Sequence, residues 1–209
     1  SNDSHLFITE PREGYVRLYE AKMFWHYDHR WATFEGDETR ELTEIEKQNH
    51  NFSVRPRYWV PELEVEKRLH GYSHGWLLAF RNITNTTNER TSIFSVIPKL
   101  GVGHSSPIIF ISATNVNSLA LISCLDTITF DYFTRQKLGG TNFTFGYLRQ
   151  FPTLSPDKFN PVSVCFIAQR AVELLYTAFD LQPFAQNILN EIGVDQWNAW
   201  FPHNPTPHS

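Results

Sequence analysis

The chain has 209 residues, of which 41% are hydrophobic and 15% aromatic, and its formal net charge is −4 at pH 7. This is enough apolar material to fill the core of one medium-sized domain without crosslinks. No window approaches the 18 or more uncharged apolar residues of a membrane span and no basic, then apolar leader opens the chain, so the sequence predicts a soluble, cytoplasmic protein.

The negative charge is unevenly distributed along the chain. Residues 171–209 hold four acidic residues and no Lys or Arg, whereas the stretch from Arg81 to Lys158 holds seven basic residues against four acidic ones. An overall acidic protein can therefore still present a locally basic face, which keeps a nucleic-acid partner open.

The first third of the chain favours strands. Ser1-Asn2 is typical of the scar left by tag removal, and residues 1–14 are interpreted as this scar and a leader. Residues 15–34 predict two strands separated by a bend. Residues 35–51, with six acids from Glu35 to Glu46, predict an exposed and mobile excursion. The acids after Pro61 predict a short helix ending near Gly71.

The middle of the chain predicts a buried sheet followed by a helix. The apolar runs Trp76–Phe80, Ile93–Ile97 and Ile108–Ile111 have strand length and polar or Pro/Gly boundaries, so we expect them in one sheet. The next pattern predicts a single helix from Ser118 to Arg135, capped by Asn115 or Asn117 and stopped by Gly139-Gly140.

Beyond Pro156 the sequence is predominantly helical. Residues 162–179 and 184–192 have helical patterns, and the proline-rich residues 201–209 predict a disordered tail. Overall we predict an α+β fold: a mixed or antiparallel sheet from residues 15–111 and 141–151, packed by a long helix. The main domain is assigned to residues 15–156 and a helical C-terminal segment to residues 157–200.

Catalytic motifs are missing from the sequence. The N-P-P-[Y/F] motif of amino-methylating enzymes is absent, since Asn160-Pro161-Val162 and Asn204-Pro205-Thr206 lack its second proline and aromatic residue. Gly101-Val102-Gly103 has no third glycine and predicts a loop rather than a cofactor cradle. We therefore predict no catalytic residues and no cofactor in this chain.

Several longer sequence segments together resemble those of a known protein family. They are Arg17-Leu18-Tyr19-Glu20-Ala21-Lys22-Met23 with Tyr27-Asp28-His29-Arg30, Trp76 to Ile83 with Thr87-Asn88-Glu89-Arg90-Thr91 and Val96-Ile97-Pro98, Asn117-Ser118 with Phe130-Asp131-Tyr132 and Arg135 to Gly140, and Gln150-Phe151-Pro152. In this order, across residues 15–185, they resemble the C-terminal specificity region of adenine-specific DNA methyltransferases of restriction-modification systems.

The resemblance implies that residues 15–156 are a target-recognition domain for double-stranded DNA. In that family the S-adenosylmethionine site and the N-P-P-Y motif lie in an N-terminal catalytic domain, which is not part of this chain. The implied setting is a bacterial, cytoplasmic protein whose partners are DNA, its own methyltransferase domain and, in some members, a nuclease or partner subunit.

Seven residues are predicted to contact DNA because they combine cations or hydrogen-bonding groups with turn-like surroundings. They are Lys22, His29, Arg30, Arg57, Arg135, Lys137 and Asn142. A charged trio between the apolar strands is predicted instead to be a structural network, and consists of Arg81, Glu89 and Arg90.

Two other functions remain open at this point. The chain could be a docking module for a nuclease or partner subunit, with Trp197, Trp200 and Phe201 as anchors. It could also be a hydrolase that uses His26 and His29, or Glu64 and Lys67, around a metal ion. We predict no metal site, because a third ligand is lacking near the histidines and an acidic helix start explains Glu64.

Overall fold

The computed structural model describes residues 3–203, apart from the side chain of Pro156, and confirms the α+β class. The strands are β1 Tyr15–Tyr19, β2 Ala32–Glu35, β3 Glu38–Glu41, β4 Trp59–Pro61, β5 Trp76–Phe80, β6 Phe94–Pro98, β7 Gly101–Val102 and β8 Ile108–Ile109. The α-helices are α1 Glu44–Gln48, α2 Glu62–Arg68, α3 Asn115–Leu125, α4 Ile128–Lys137, α5 Phe145–Leu148, α6 Pro161–Leu175, α7 Gln182–Ile192 and α8 Val194–Trp200.

The three central apolar runs do form one sheet. β5 lies in the middle and pairs antiparallel with β6 and with β8, in a register that places Phe80 opposite Phe94 and Ala79 opposite Ile108. All residues of β5 and β6 are buried, as expected of a strand covered on both faces.

This sheet separates two hydrophobic cores. Because side chains alternate along a strand, Trp76, Leu78 and Phe80 enter one core while Leu77 and Ala79 enter the other. The first core also contains side chains from α3, α4, α6, α7 and α8, and the second contains side chains from the N-terminal third. The helical segment 157–200 therefore shares a core with the central sheet.

The acidic segment 35–51 is folded, not an open excursion. β2 and β3 form an antiparallel hairpin, and Arg40 of β3 ion-pairs with Glu35 at 2.5 Å and with Glu46 at 2.6 Å. Thr43 and Glu46 exchange side-chain and backbone hydrogen bonds in a capping box that starts α1. Opposite charges close to one another in sequence thus organise a segment whose composition predicted mobility.

The predicted helix from Ser118 to Arg135 is wrong in one respect, because the structure divides it into α3 and α4. Asp126 ends α3 and turns its carboxyl group inward, where Oδ1 accepts a hydrogen bond from Phe94 N at 3.3 Å. Thr127 then starts α4, since its hydroxyl oxygen accepts from Phe130 N. The cap of α3 is Thr114 rather than Asn115 or Asn117.

Two more differences from the predicted elements lie on the C-terminal side of α4. Residues 141–151 do not add a strand to the sheet: Asn142 makes an isolated bridge to Ile83, and α5 follows. The C-terminal helices occur close to the predicted bounds, with α8 as an addition. Phe201 packs on Trp197 with ring centroids 4.8 Å apart, and residues 204–209 of the predicted tail lie outside the described residues, as does Ser1-Asn2.

Within residues 3–203, no helix combines the length and the apolar character that crossing a bilayer would require. Cys124 and Cys165 are both free thiols with intermediate burial.

Candidate nucleic-acid interface

Two loops next to the central sheet form one continuous surface, which we call the two-loop surface (residues 82–90 and 139–144). Thr84 N donates to Thr141 O at 3.0 Å and Phe143 N donates to Asn82 O at 2.7 Å. Between these bonds Ile83 and Asn142 form an antiparallel bridge. A single antiparallel β-bridge, flanked by two backbone hydrogen bonds, therefore joins the two loops at the base of the surface.

Helix α4 holds the first of these loops through two side chains. Asp131 Oδ1 accepts hydrogen bonds from the backbone N–H groups of Thr91 at 2.7 Å and Ser92 at 2.8 Å. Arg135 donates from Nε to Asp131 Oδ2 at 2.7 Å. Its remaining nitrogens donate to the backbone carbonyls of the loop, at Thr86, Asn88 and Glu89.

The charge of Asp131 matches these contacts. Burial by itself raises the pKa of Asp131, but the hydrogen bonds from Arg135 and from the amides of Ser92 and Thr91 outweigh burial and leave the pKa below its ordinary value. The ionised carboxylate thus accepts bonds from both the loop and Arg135. Sequence reasoning missed Asp131 as a site residue, although the i, i+4 spacing to Arg135 on one helix was a signal.

The outward side of the two-loop surface consists mostly of uncharged hydrogen-bonding side chains. Glu89 is the one acidic residue within these two segments. The exposed polar side chains are those of Asn85, Thr87, Asn88, Thr141, Asn142 and Thr144. Ile83 is 61% exposed beside them, although it is large and apolar. Such groups can form directional hydrogen bonds to a partner while adding little net charge.

Two exposed lysines lie at the margins of this surface. Lys137 is the last residue of α4, two residues before Gly139, where the second loop begins. Lys22 is exposed in a turn whose neighbouring Ala21 N donates to Ser105 Oγ at 3.3 Å. The carbonyl of Ser105 in turn accepts from Asn82 N at 2.9 Å, so the backbone next to Lys22 is linked to the start of the first loop.

Two of the predicted DNA contacts are wrong because their side chains are buried. His29 is 0% exposed and its Nε2 lies 2.8 Å from Asp180 Oδ1. Arg30 is 1% exposed and donates four hydrogen bonds to backbone carbonyls, at Asn49, Phe52, Lys47 and Thr177. Neither side chain can reach a partner without unfolding its surroundings.

Arg135 and Arg57 are also engaged within the protein. The contacts of Arg135 make it a positioning residue for the loop rather than a free cation. Arg57 pairs with Glu20 at 3.0 Å, lies over the ring of Tyr58 and lines a cleft of about 790 Å³ outside the two-loop surface. Of the seven predicted contacts, Asn142 lies on the two-loop surface with an exposed side chain, and Lys22 and Lys137 are exposed in segments that adjoin it.

Arg81, Glu89 and Arg90 were predicted to form one network, but in the structure each of them has different partners. The guanidinium group of Arg81 donates to Phe24 O and lies 4.5 Å from the ring centre of Trp25, and burial lowers the pKa of Arg81 to about 10. Arg90 Nη2 donates to Asp126 O at 2.6 Å. Glu89 contributes its backbone carbonyl to Arg135 and has an exposed side chain.

The residues considered for a metal or a hydrolytic centre have structural partners. His26 Nε2 lies 2.8 Å from Asp126 O and 2.6 Å from Arg90 Nη2, and burial lowers the pKa of His26. Glu64 pairs with Lys67 and Arg68 along one helical face at 2.7 and 2.9 Å. No group of three or more His, Cys, Asp or Glu side chains suited to a metal ion occurs in residues 3–203.

Asp126 is a buried acid with an incomplete set of partners. Burial raises the pKa of Asp126 well above its ordinary value, against the opposing effects of Phe94 N and Arg90, and Oδ2 has no hydrogen-bond partner. The folded protein therefore holds a proton on Asp126 more tightly than the unfolded chain does. The stability that this gives is fully present below the unfolded pKa of about 3.9 and is lost as pH rises through the folded pKa.

We expect Asp126→Asn to remove this loss, because an amide keeps the acceptor for Phe94 N and carries no charge to bury. The variant should gain stability relative to the wild type as pH rises from 4 to 7, measured by urea denaturation at each pH. Asp195→Asn, at an exposed position on α8, is the matched control and should leave the pH profile unchanged. A constant difference between Asp126→Asn and wild type across this range would contradict the assignment.

The aromatic anchors of the docking hypothesis are part of the core. Trp197 is 2% exposed and Trp200 is 6% exposed, and Phe201 packs against both rings. A partner could not bind these side chains without opening the first core.

Comparison of the chain with protein-family models, with curated proteins and with solved structures finds no match.

Proposed function

We propose that this protein recognises a specific sequence in double-stranded DNA, as the target-recognition part of an adenine-specific DNA methyltransferase of a bacterial restriction-modification system. The observation that carries the proposal is the two-loop surface, where exposed amide and hydroxyl groups lie on two joined loops, the first of them held by Asp131 and Arg135. Methyl transfer would be the task of a separate catalytic domain that binds S-adenosylmethionine.

The chemistry of the surface favours recognition of base edges over contact with the phosphate backbone of DNA. Base edges are distinguished by hydrogen bonds and by apolar contact in the grooves, whereas phosphates are contacted mainly by cations. The surface offers Asn and Thr side chains and one exposed apolar residue. Its anchoring to α4 reduces the disorder that binding would otherwise have to remove.

The electrostatic contribution of this surface is expected to be small. The lysines at its two margins, Lys22 and Lys137, can each neutralise one phosphate. Each neutralised phosphate contributes about −0.9 to the slope of log K against log salt on duplex DNA. We therefore expect a slope no steeper than about −2 for this chain alone, with stronger phosphate binding supplied by the catalytic domain.

The test is selection from a pool of random duplexes at low and moderate salt, followed by sequencing of the retained DNA. We expect one short motif to be enriched. Lys137→Ala should weaken binding to all sequences and reduce the salt slope by about 1, because it removes one phosphate contact. Asn142→Ala should lower affinity for the selected motif by about 5- to 150-fold and relax the preference at one base pair.

Lys158→Ala and Asn198→Ala are the matched controls, since both positions are exposed and lie in the C-terminal segment. They should bind as the wild type does. Equal losses for the controls and the test variants would place the DNA-binding surface elsewhere, and no retention of any duplex at low salt would contradict DNA recognition by this chain.

A further inference from the structure

We infer that the two-loop surface reads an A·T base pair in the major groove, through Asn142 and Ile83. This inference rests on the proposed function and assigns the class of base pair that this function would select. It depends on two observations: which cations near the surface already have partners within the protein, and which side chains the β-bridge places next to each other.

The arginines in the two loops, or in the segments next to them, already donate hydrogen bonds to groups within the protein. Arg135 bonds three loop carbonyls and Asp131, Arg90 bonds Asp126 O, and Arg81 bonds Phe24 O while stacked on Trp25. The commonest reader of guanine is an arginine that forks onto O6 and N7. These three guanidinium groups cannot serve that role without leaving their partners in the fold.

Asn142 has the chemistry that recognises adenine. A side-chain amide can donate to N7 and accept from the N6 amino group of adenine in a bidentate contact. The side chain of Asn142 is exposed, and its backbone is fixed by the bonds that join the two loops on either side of it. Asn85 is less suited, because its Oδ1 already accepts from Thr87 N at 3.1 Å.

Ile83 supplies the matching apolar contact. It is the bridge partner of Asn142, and directly opposite residues of an antiparallel pair point to the same face with Cβ atoms about 5 Å apart. In the major groove an A·T pair shows adenine N6 and N7 on one side and the thymine C5-methyl group on the other. An amide beside an exposed isoleucine therefore matches both halves of one base pair.

The experiment uses the 209-residue protein and the duplex motif selected from the random pool. Each A·T pair of the motif is modified in turn, either with 7-deazaadenine, which lacks the N7 acceptor, or with uracil, which lacks the thymine methyl group. At one pair we expect 7-deazaadenine to weaken binding of the wild type at least 5-fold and uracil to weaken it about 2- to 5-fold. Asn142→Ala should lose the response to 7-deazaadenine, and Ile83→Ala the response to uracil.

The outcomes separate this inference from the proposed function. A selected motif that responds to neither analogue, or one that contains only G·C pairs, would overturn A·T reading while leaving sequence-specific DNA recognition intact. A complete lack of retention would overturn both. Circular dichroism of the two variants, whose substituted side chains are exposed, checks that each retains the fold.

Discussion

Replacing Arg30 by methionine is expected to lower the free energy of unfolding by about 3–5 kcal/mol, the largest effect of any single substitution considered for this protein. Methionine fills much of the same volume but donates no hydrogen bond. The carbonyls of Lys47, Phe52 and Thr177 would then lose their donor from Arg30, and the Asn49 carbonyl would keep only the bond from Phe52 N. Their identities explain the size of the effect, since they join the segment around α1 to the end of α6.

Urea denaturation of the wild type, Arg30→Met and Arg30→Lys measures this effect. Lysine keeps the charge but cannot reproduce the planar fork that reaches four carbonyls, so Arg30→Lys should fall between the other two. The control is Arg149→Ala, at an exposed position, which should stay within about 0.5 kcal/mol of the wild type. A loss below 1 kcal/mol for Arg30→Met would mean that these carbonyls find other donors.

Arg135→Ala is expected to cost on the order of 2–3 kcal/mol and to release the loop at residues 86–89. The substitution removes the hydrogen bonds to the Thr86, Asn88 and Glu89 carbonyls and leaves the mostly buried carboxylate of Asp131 without its ion-pair partner. Because Arg135 acts by positioning, its loss should also reduce discrimination between DNA sequences, whereas weak nonspecific binding at low salt should persist.

A double-mutant cycle with Asp131→Asn isolates the pair, with an expected coupling of about 1–2 kcal/mol at pH 7. The lowered pKa of Asp131 fixes the pH dependence: its stabilising contribution is present above the unfolded pKa of about 3.9 and is lost as pH falls through the lower folded value. Hydrogen exchange at the amides of Thr91 and Ser92 measures directly how firmly the loop is held. Unchanged exchange in Arg135→Ala would contradict the positioning role.

The parts of the fold that local patterns determine could be predicted. The three central strands are short apolar runs with clear boundaries, and α2 has a proline, acids in its first turn and bases in its last turn. In both cases the deciding interactions lie within a few residues or in the burial of a whole segment, which are properties that a sequence displays.

The predictions that were wrong concern residues whose interaction partners are distant in sequence. Asp126 looks like one polar position in a helical pattern, yet its carboxyl group accepts from Phe94 N, 32 residues earlier, and the helix ends there. Arg30 sits in a charged phrase that is typical of a surface, yet one of its acceptors is Thr177 O, 147 residues later. A resemblance between sequence segments does not tell which of their residues face outward.

The alternation of β5 between two cores also bears on how this unit could be moved between proteins. Trp76, Leu78 and Phe80 share their core with α6, α7 and α8, and the ring of Trp76 packs on Phe184 of α7, while Leu77 and Ala79 share their core with side chains of the N-terminal third. A piece cut at residue 156 would lose the helices that cover part of this face, including Phe184 against Trp76. The smallest portion that keeps both faces of β5 covered is therefore the stretch from β1 to α8, and a transfer of this domain into another protein should carry it whole.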